Sequence, residues 1–210
     1  MKQEKRAYGL WESALTTKMV SKSIRFEDVA WSGDALLWRE ERSGWGTIVI
    51  QPVGESPVDL NTTVSARGSV GYGGGSFAVH DGCLYFCGIN GRLYTMPVSG
   101  GSERAITPKK GAISSPVPSP DGKWVAYIHS DEECDSIQLV DAQGKNDPIL
   151  LVSGADFYMQ PCWSPDGSKL AWIAWDQPNM PWDGTRLETA ELHWTDGIPA
   201  LGPTFVLAFS

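Results

Sequence analysis

Hydrolysis by a serine nucleophile needs that serine on a sharp turn flanked by glycines, with a base and an acid to activate it. Ser69, Ser76 and Ser102 are the serines nearest to glycine, and none has Gly at both −2 and +2. The chain therefore has no nucleophile elbow, and no residue is assigned a catalytic role. His80, His129 and His193 each fall on or beside an expected strand, and no two are close in sequence. A solvated or hydrogen-bonded structural role suits each. Cys83 and Cys87 flank Leu84-Tyr85-Phe86 in one expected strand. At ~3.3 Å per residue they stand ~13 Å apart, too far for a disulfide or a shared metal. Cys134 and Cys162 have no Cys or His at ligand spacing, so the four read as reduced, mostly buried thiols. Glu40-Glu41 and Asp131-Glu132-Glu133 read as solvated outer turns and lack a calcium-loop pattern. No metal and no cofactor is expected.

Two stretches remain as candidate channel-facing or substrate-facing sites. In Tyr72-Gly73-Gly74-Gly75, consecutive glycines let backbone approach a ligand closely. No helix pattern, Lys or Thr follows as a phosphate loop requires, and a flexible connection between repeats is the competing reading. Trp182-Asp183-Gly184 sits on a long insertion, and long loops often carry function. The competing reading is a loop packed over its own repeat by Met180 and Trp182.

Composition narrows the class. A chain of 210 residues with 41% hydrophobic and 20% charged residues can bury a core. Its formal net charge of −8 argues against nucleic acid or an anionic membrane as partner. No apolar run approaches the ~20 residues of a membrane span. The N-terminus has basic residues without an apolar stretch behind them, so a cytoplasmic location is the expectation.

The elements that must position these residues are strands. Pro161–Trp175, PCWSPDGSKLAWIAW, reads as strand, turn, strand, and Pro118–His129, PSPDGKWVAYIH, repeats the pattern. Ser-Pro-Asp-Gly has type I turn chemistry, and near-continuous apolarity after it means a strand covered on both faces. Further copies follow at about 26–61, 70–106, 112–152 and 157–210, after a charged and aromatic segment over 1–25. Gly82, Gly122 and Gly167 are separated by 40 and 45 residues. Four short strands per unit at that period predict an all-β fold of about four β-propeller blades. A β-sandwich would make Trp124–Ile128 and Leu170–Trp175 alternate, which they do not. In the fourth unit, Asp176–Gly184 interrupts the second and third strands, and Thr204–Phe209 is the expected outer strand.

Trp163 before its Ser-Pro-Asp-Gly turn resembles the propeller repeats of prolyl oligopeptidase-type serine peptidases and TolB-like proteins. Three further stretches resemble the dipeptidyl-peptidase and acylaminoacyl-peptidase branch. They are Tyr8-Gly9-Leu10-Trp11-Glu12-Ser13-Ala14-Leu15-Thr16, the Gly71–Gly75 run, and the insertion Trp175–Thr185. The resemblance implies a propeller preceding an α/β-hydrolase domain that carries the Ser-Asp-His triad. It further implies that the propeller gates access for short peptides and that this portion alone is inactive. The implied partners are the missing C-terminal hydrolase domain and short peptides. The alternative is a stand-alone TolB-like propeller that binds a protein or peptide.

Overall fold

Tight turns set the strand positions. In the computed structural model, which describes Ala7 and residues 24–72, 74–131, 133–195 and 197–209, Gly122 N–H donates to Ser119 C=O and Gly167 N–H to Ser164 C=O, both at 2.9 Å. Each serine hydroxyl then donates to the turn aspartate, Asp121 at 2.7 Å and Asp166 at 2.6 Å. The glycines take φ of +67° and +71°, a conformation that Gly adopts without strain. The 1–25 segment lies outside the described residues except for Ala7, Ile24 and Arg25.

Four antiparallel sheets result. The first orders β1 (Ile24–Ser32), β2 (Ala35–Arg42), β3 (Trp45–Gln51) and β4 (Val58–Asp59). The second orders β5 (Phe77–His80), β6 (Cys83–Cys87), β7 (Leu93–Pro97) and β8 (Arg104–Ala105). The third orders β9 (Ala112–Pro118), β10 (Trp124–Ser130), β11 (Asp135–Asp141) and β12 (Ile149–Val152). The fourth orders β13 (Phe157–Trp163), β14 (Lys169–Trp175) and β15 (Arg186–Thr195), with β16 (Ile198–Leu201) and β17 (Phe205–Phe209) both on β15.

These are the blades of a partial β-propeller. The first strands stand side by side, β1 against β5, β5 against β9, and β9 against β13. Each seam between blades is packed with buried apolar side chains. Leu37, Ile48 and Ile50 meet Leu84, Phe86 and Met96 in the first seam. Tyr85, Cys87 and Leu93 meet Ile113, Val125 and Tyr127 in the second. Ile128, Ile137 and Leu139 meet Leu170, Trp172 and Leu192 in the third. Burying faces of this size supplies most of the favourable free energy, at ~25 cal/mol per Å² of apolar surface.

Four readings of the sequence need correction. The outer strand of blade four begins before Thr204: β16 pairs with Leu192–Thr195 and β17 with Arg186–Thr189, and Gly202-Pro203 divides them. Pro203 has no N–H to continue the ladder, so the pairing breaks there. β14 is covered less evenly than expected, since Ala171 and Ile173 on its outward side are only half-buried. Glu40 and Glu41 do not cap an outer turn. They lie in β2, where Glu40 is buried and accepts from Trp38 Nε1 at 2.7 Å and Arg42 Nε at 2.6 Å. The thiols are not mostly buried: Cys87 is, but Cys134 and Cys162 are exposed. Cys134 lies in the β10–β11 turn and Cys162 on the outward side of the last blade.

Candidate functional site

The connection from blade one to blade two, residues 67–76, does not hang free. Arg67 N–H donates to Cys87 C=O at 2.7 Å, Ser69 N–H to Ile113 C=O at 2.9 Å, and Ser115 N–H to Gly75 C=O at 2.8 Å. Ser76 N–H donates to Asp28 Oδ2 at 2.7 Å. Residues 67–76 are thus stitched to three blades, through the first strands β1 and β9 and, at Cys87, the second strand β6. A Cβ on Gly74 would lie 2.2 Å from Ser114 Cβ and Oγ, so only glycine lets the backbone approach β9 this closely. Gly73 lies outside the described residues.

Three innermost strands share a second feature. β1, β9 and β13 each have an irregular register, with Asp28, Ser115 and Gln160 at φ of +44°, +51° and +53°. Non-glycine residues in this region are held there by their surroundings. Bulges re-aim side chains, and here Asp28 is turned so that its carboxylate holds the loop. Nothing in residue type announces this regularity, and sequence reasoning missed it.

Tyr72 carries the loop to the fourth blade. Its ring sits edge-on to Phe157 at 5.4 Å and to Trp175 at 5.7 Å, and those two rings stack at 5.1 Å. Its hydroxyl meets Met180 Sδ at 3.5 Å. The structure therefore joins the glycine stretch, at Tyr72, to the insertion that carries the second candidate, at Met180, 108 residues away. Trp182 does not pack over its own blade as the competing reading has it. It is 73% exposed, and Asp183 beside it is exposed as well.

The insertion is pinned at its base. Asp156 N–H donates to Asp176 Oδ1 at 3.0 Å, and Gln177 N–H donates to Asp156 Oδ2 at 2.8 Å. Arg186 Nη1 donates to Asp176 Oδ2 at 2.7 Å and Nε to Glu188 Oε1 at 2.9 Å. Glu188 also accepts from Trp172 Nε1 at 2.8 Å, which ties the base to the core. The Arg186 guanidinium, with the Asp156 N–H, holds Asp176 below the usual carboxylate range.

Several groups around the loop have capacity to spare. Trp175 Nε1 and Ser114 Oγ are buried and find no partner among the described residues, as groups kept for water or a ligand do. A cavity of about 350 Å³ beside Gly74 is lined by Arg25, Glu27, Asp28, Arg67 and Ser76. Arg39 forms its inner wall, donating Nε to Ala66 C=O at 2.7 Å and pairing with Glu27. Both charge signs face one space, which can hold a polar molecule with separated charges.

The histidines stay apart from this region. His129 is buried, and its Nε2 lies 3.2 Å from Lys110 C=O. Burial lowers its pKa below the usual imidazole value. His193 is exposed on β15, and His80 Nε2 lies 3.5 Å from Asp81 Oδ2. Among the described residues no group of His, Cys, Asp or Glu could hold a metal ion. Among the described residues no helix is long and apolar enough to cross a membrane.

Comparison with known proteins places this arrangement. No family model matches the chain. It is similar to a puromycin-hydrolysing peptidase of Mycobacterium tuberculosis, at 25% identity and a TM-score of 0.81. The match covers 99% of this chain and 36% of that one. A puromycin hydrolase matches at 26% identity, TM-score 0.81, with the same coverage of 99% and 36%. TolB of Acinetobacter baumannii matches at 17% identity, TM-score 0.62, over 84% of this chain and 43% of its own. The chain thus spans about a third of the length of the two peptidases it matches.

Proposed function

We propose that this chain, a partial β-propeller similar to two puromycin-hydrolysing peptidases over 99% of its length, is the gating portion of a prolyl oligopeptidase-type serine peptidase acting on short peptides. In this reading an α/β-hydrolase domain supplies Ser, His and Asp, and the propeller restricts what reaches them. The observation that carries it is the junction of Tyr72 with Met180, which links the glycine loop across the blades to an insertion whose Trp182 is left in solvent. An exposed Trp on a pinned loop is suited to meet a second domain or an arriving peptide. The cavity lined by Arg25, Glu27 and Arg67 supports short peptides as the cargo, because a free peptide carries one charge of each sign at its ends. Four free thiols support a reducing, cytoplasmic setting.

The experiment adds the purified chain to a separately expressed hydrolase domain of a matching peptidase. Turnover of a dipeptide amide, of puromycin and of a long unstructured peptide is followed. The chain alone is expected to turn over none of them. With the domain, cleavage of the long peptide should fall at least about tenfold while the short substrates persist. Unchanged selectivity would overturn the gating role.

The likeness to TolB over 84% of the chain supports a second reading, a propeller that binds a protein or peptide and needs no hydrolase. It requires tight binding of a partner by the chain alone.

A further inference from the structure

Counted from the turn glycines Gly122 and Gly167, β10 and β14 place matching residues on the side that faces the preceding blade. In blade four these are Leu170, Trp172 and Ala174, paired with Ala190, Glu188 and Arg186 of β15. Trp172 fills the third seam, and Glu188 accepts from both Trp172 Nε1 and Arg186 Nε, so the polar groups there satisfy one another. In blade three the matching residues are Val125, Tyr127 and His129, paired with Val140, Gln138 and Ser136 of β11. Only part of this second seam is apolar: Val125, Tyr127 and Val140 pack on Tyr85, Cys87 and Leu93 of blade two. Where Gln138, His129 and Ser136 follow, the blades part around a cavity of about 460 Å³.

The blade-two wall of this cavity, the 107–111 connection, is held at both ends. Arg92 Nε donates to Thr107 C=O and Leu93 N–H to Thr107 Oγ1, each at 2.9 Å. A Cβ on Gly111 would lie 2.3 Å from Ser130 C=O, and one on Gly91 2.3 Å from Gly111 C=O, so two glycines let the β6–β7 turn, the connection and β10 close on one another. The floor is polar, although Tyr127, His129 and Ser136 are all buried. Tyr127 O–H donates to Gln138 Oε1 at 2.9 Å, which leaves both N–H groups of Gln138 Nε2 without a partner among the described residues. Ser136 Oγ donates to His129 C=O at 3.3 Å and keeps lone pairs with which to accept. His129 Nε2 lies 3.2 Å from Lys110 C=O, so the neutral ring keeps Nδ1 as an acceptor. Lys110 of blade two and Asp131 and Asp147 of blade three stand exposed at the mouth. Lys110 and Asp131 both act on the His129 ring, with opposite sign, yet neither Lys110 nor Asp147 has an ion-pair partner among the described residues.

We propose that the cavity between blades two and three binds a free α-amino acid with an apolar side chain. Lys110 and the Gln138 N–H groups take its carboxylate. Asp131, Asp147 and the acceptors on His129 and Ser136 take its ammonium. Pro108, Pro148 and the half-exposed Leu150 receive its side chain. A cavity of this size, with apolar walls and a few convergent polar groups, is the usual form of a small-molecule site. Unpaired charges of both signs at one mouth favour a zwitterion and leave one charge unmatched for a simple anion or cation. The site lies in the second seam, apart from the cavity beside Gly74. It goes beyond the gating role and does not depend on it.

The test is calorimetric titration of the full chain with L-leucine. Saturable binding of one molecule per chain is expected, with a Kd of ~1 mM or tighter for a ligand this small. Two analogues are titrated beside it: 4-methylpentanoate, which lacks the ammonium, and L-leucinamide, which lacks the carboxylate. Each should bind at least about tenfold more weakly. Gln138→Glu keeps the acceptor for Tyr127 O–H and removes both N–H donors, and it should weaken leucine at least about tenfold. Lys110→Ala should do the same while its thermal melt matches that of the unaltered chain, because Lys110 is exposed. No saturable binding of leucine would overturn the proposal, as would analogues that bind equally well or binding indifferent to both substitutions. Loss of leucine binding on Arg67→Ala would overturn it too, since it would seat the ligand in the cavity beside Gly74.

Discussion

The Asp166 carboxylate accepts from Ser164 Oγ at 2.6 Å and from Ser168 N and Oγ at 3.0 and 2.8 Å. These bonds, Ser164 first, hold its pKa down to about 2. A carboxylate depressed in the folded state adds stability above the unfolded value of ~3.9, lost as pH falls through the folded value. Asp166→Ala should flatten the decline of the melting temperature between about pH 4 and 2, read by thermal melts across that range. Gly46 answers to packing instead. A Cβ there would lie 1.8 Å from Ala66 C=O and 2.8 Å from Arg39 Nη2, so neither backbone nor guanidinium has room. Gly46→Ala should cost about 1–3 kcal/mol in urea unfolding. Asp166 was legible, because Ser-Pro-Asp-Gly is turn chemistry. Gly46 was not, since its constraint comes from the backbone of Ala66, twenty residues on in the chain.

At the scale of elements, turns and long strands could be read and their partners could not. Cys83–Cys87 and Trp124–Ser130 stand where hydrophobic runs between turn residues put them. β16 escaped notice because Gly197 and Gly202-Pro203 bracket Ile198–Leu201, so that segment reads as the connection to the outer strand expected at Thr204–Phe209. Glu40-Glu41 looked solvated because two acids in a row usually are. Their partners, Arg42, Trp38 and Arg39, come from the same strand and bury one of them. The insertion makes a prediction of its own. Arg186 is only half-buried, so the Asp176 pair is worth about 1 kcal/mol or less. Arg186→Ala should therefore leave global stability nearly intact while raising amide exchange across residues 176–184. Trp172, buried in the third seam, is the contrast. Trp172→Ala should cost about 3–5 kcal/mol, seen as a shifted denaturation midpoint.

For the whole molecule, the sequence carried the propeller through its repeated turns. The meeting of Tyr72 with Met180 was hidden, because no local pattern can show a contact between residues 108 apart. That contact ties the glycine stretch to the insertion that carries Trp182 and supports the proposed gating role. Calorimetric titration tests that role most directly, with the chain in the cell and either an isolated α/β-hydrolase domain or free short peptides in the syringe. Saturable binding of the domain, weakened about tenfold or more by Trp182→Ala, is the result expected of a gate. No binding of the domain, together with tight binding of a free peptide, would contradict it and leave the stand-alone binding propeller in its place.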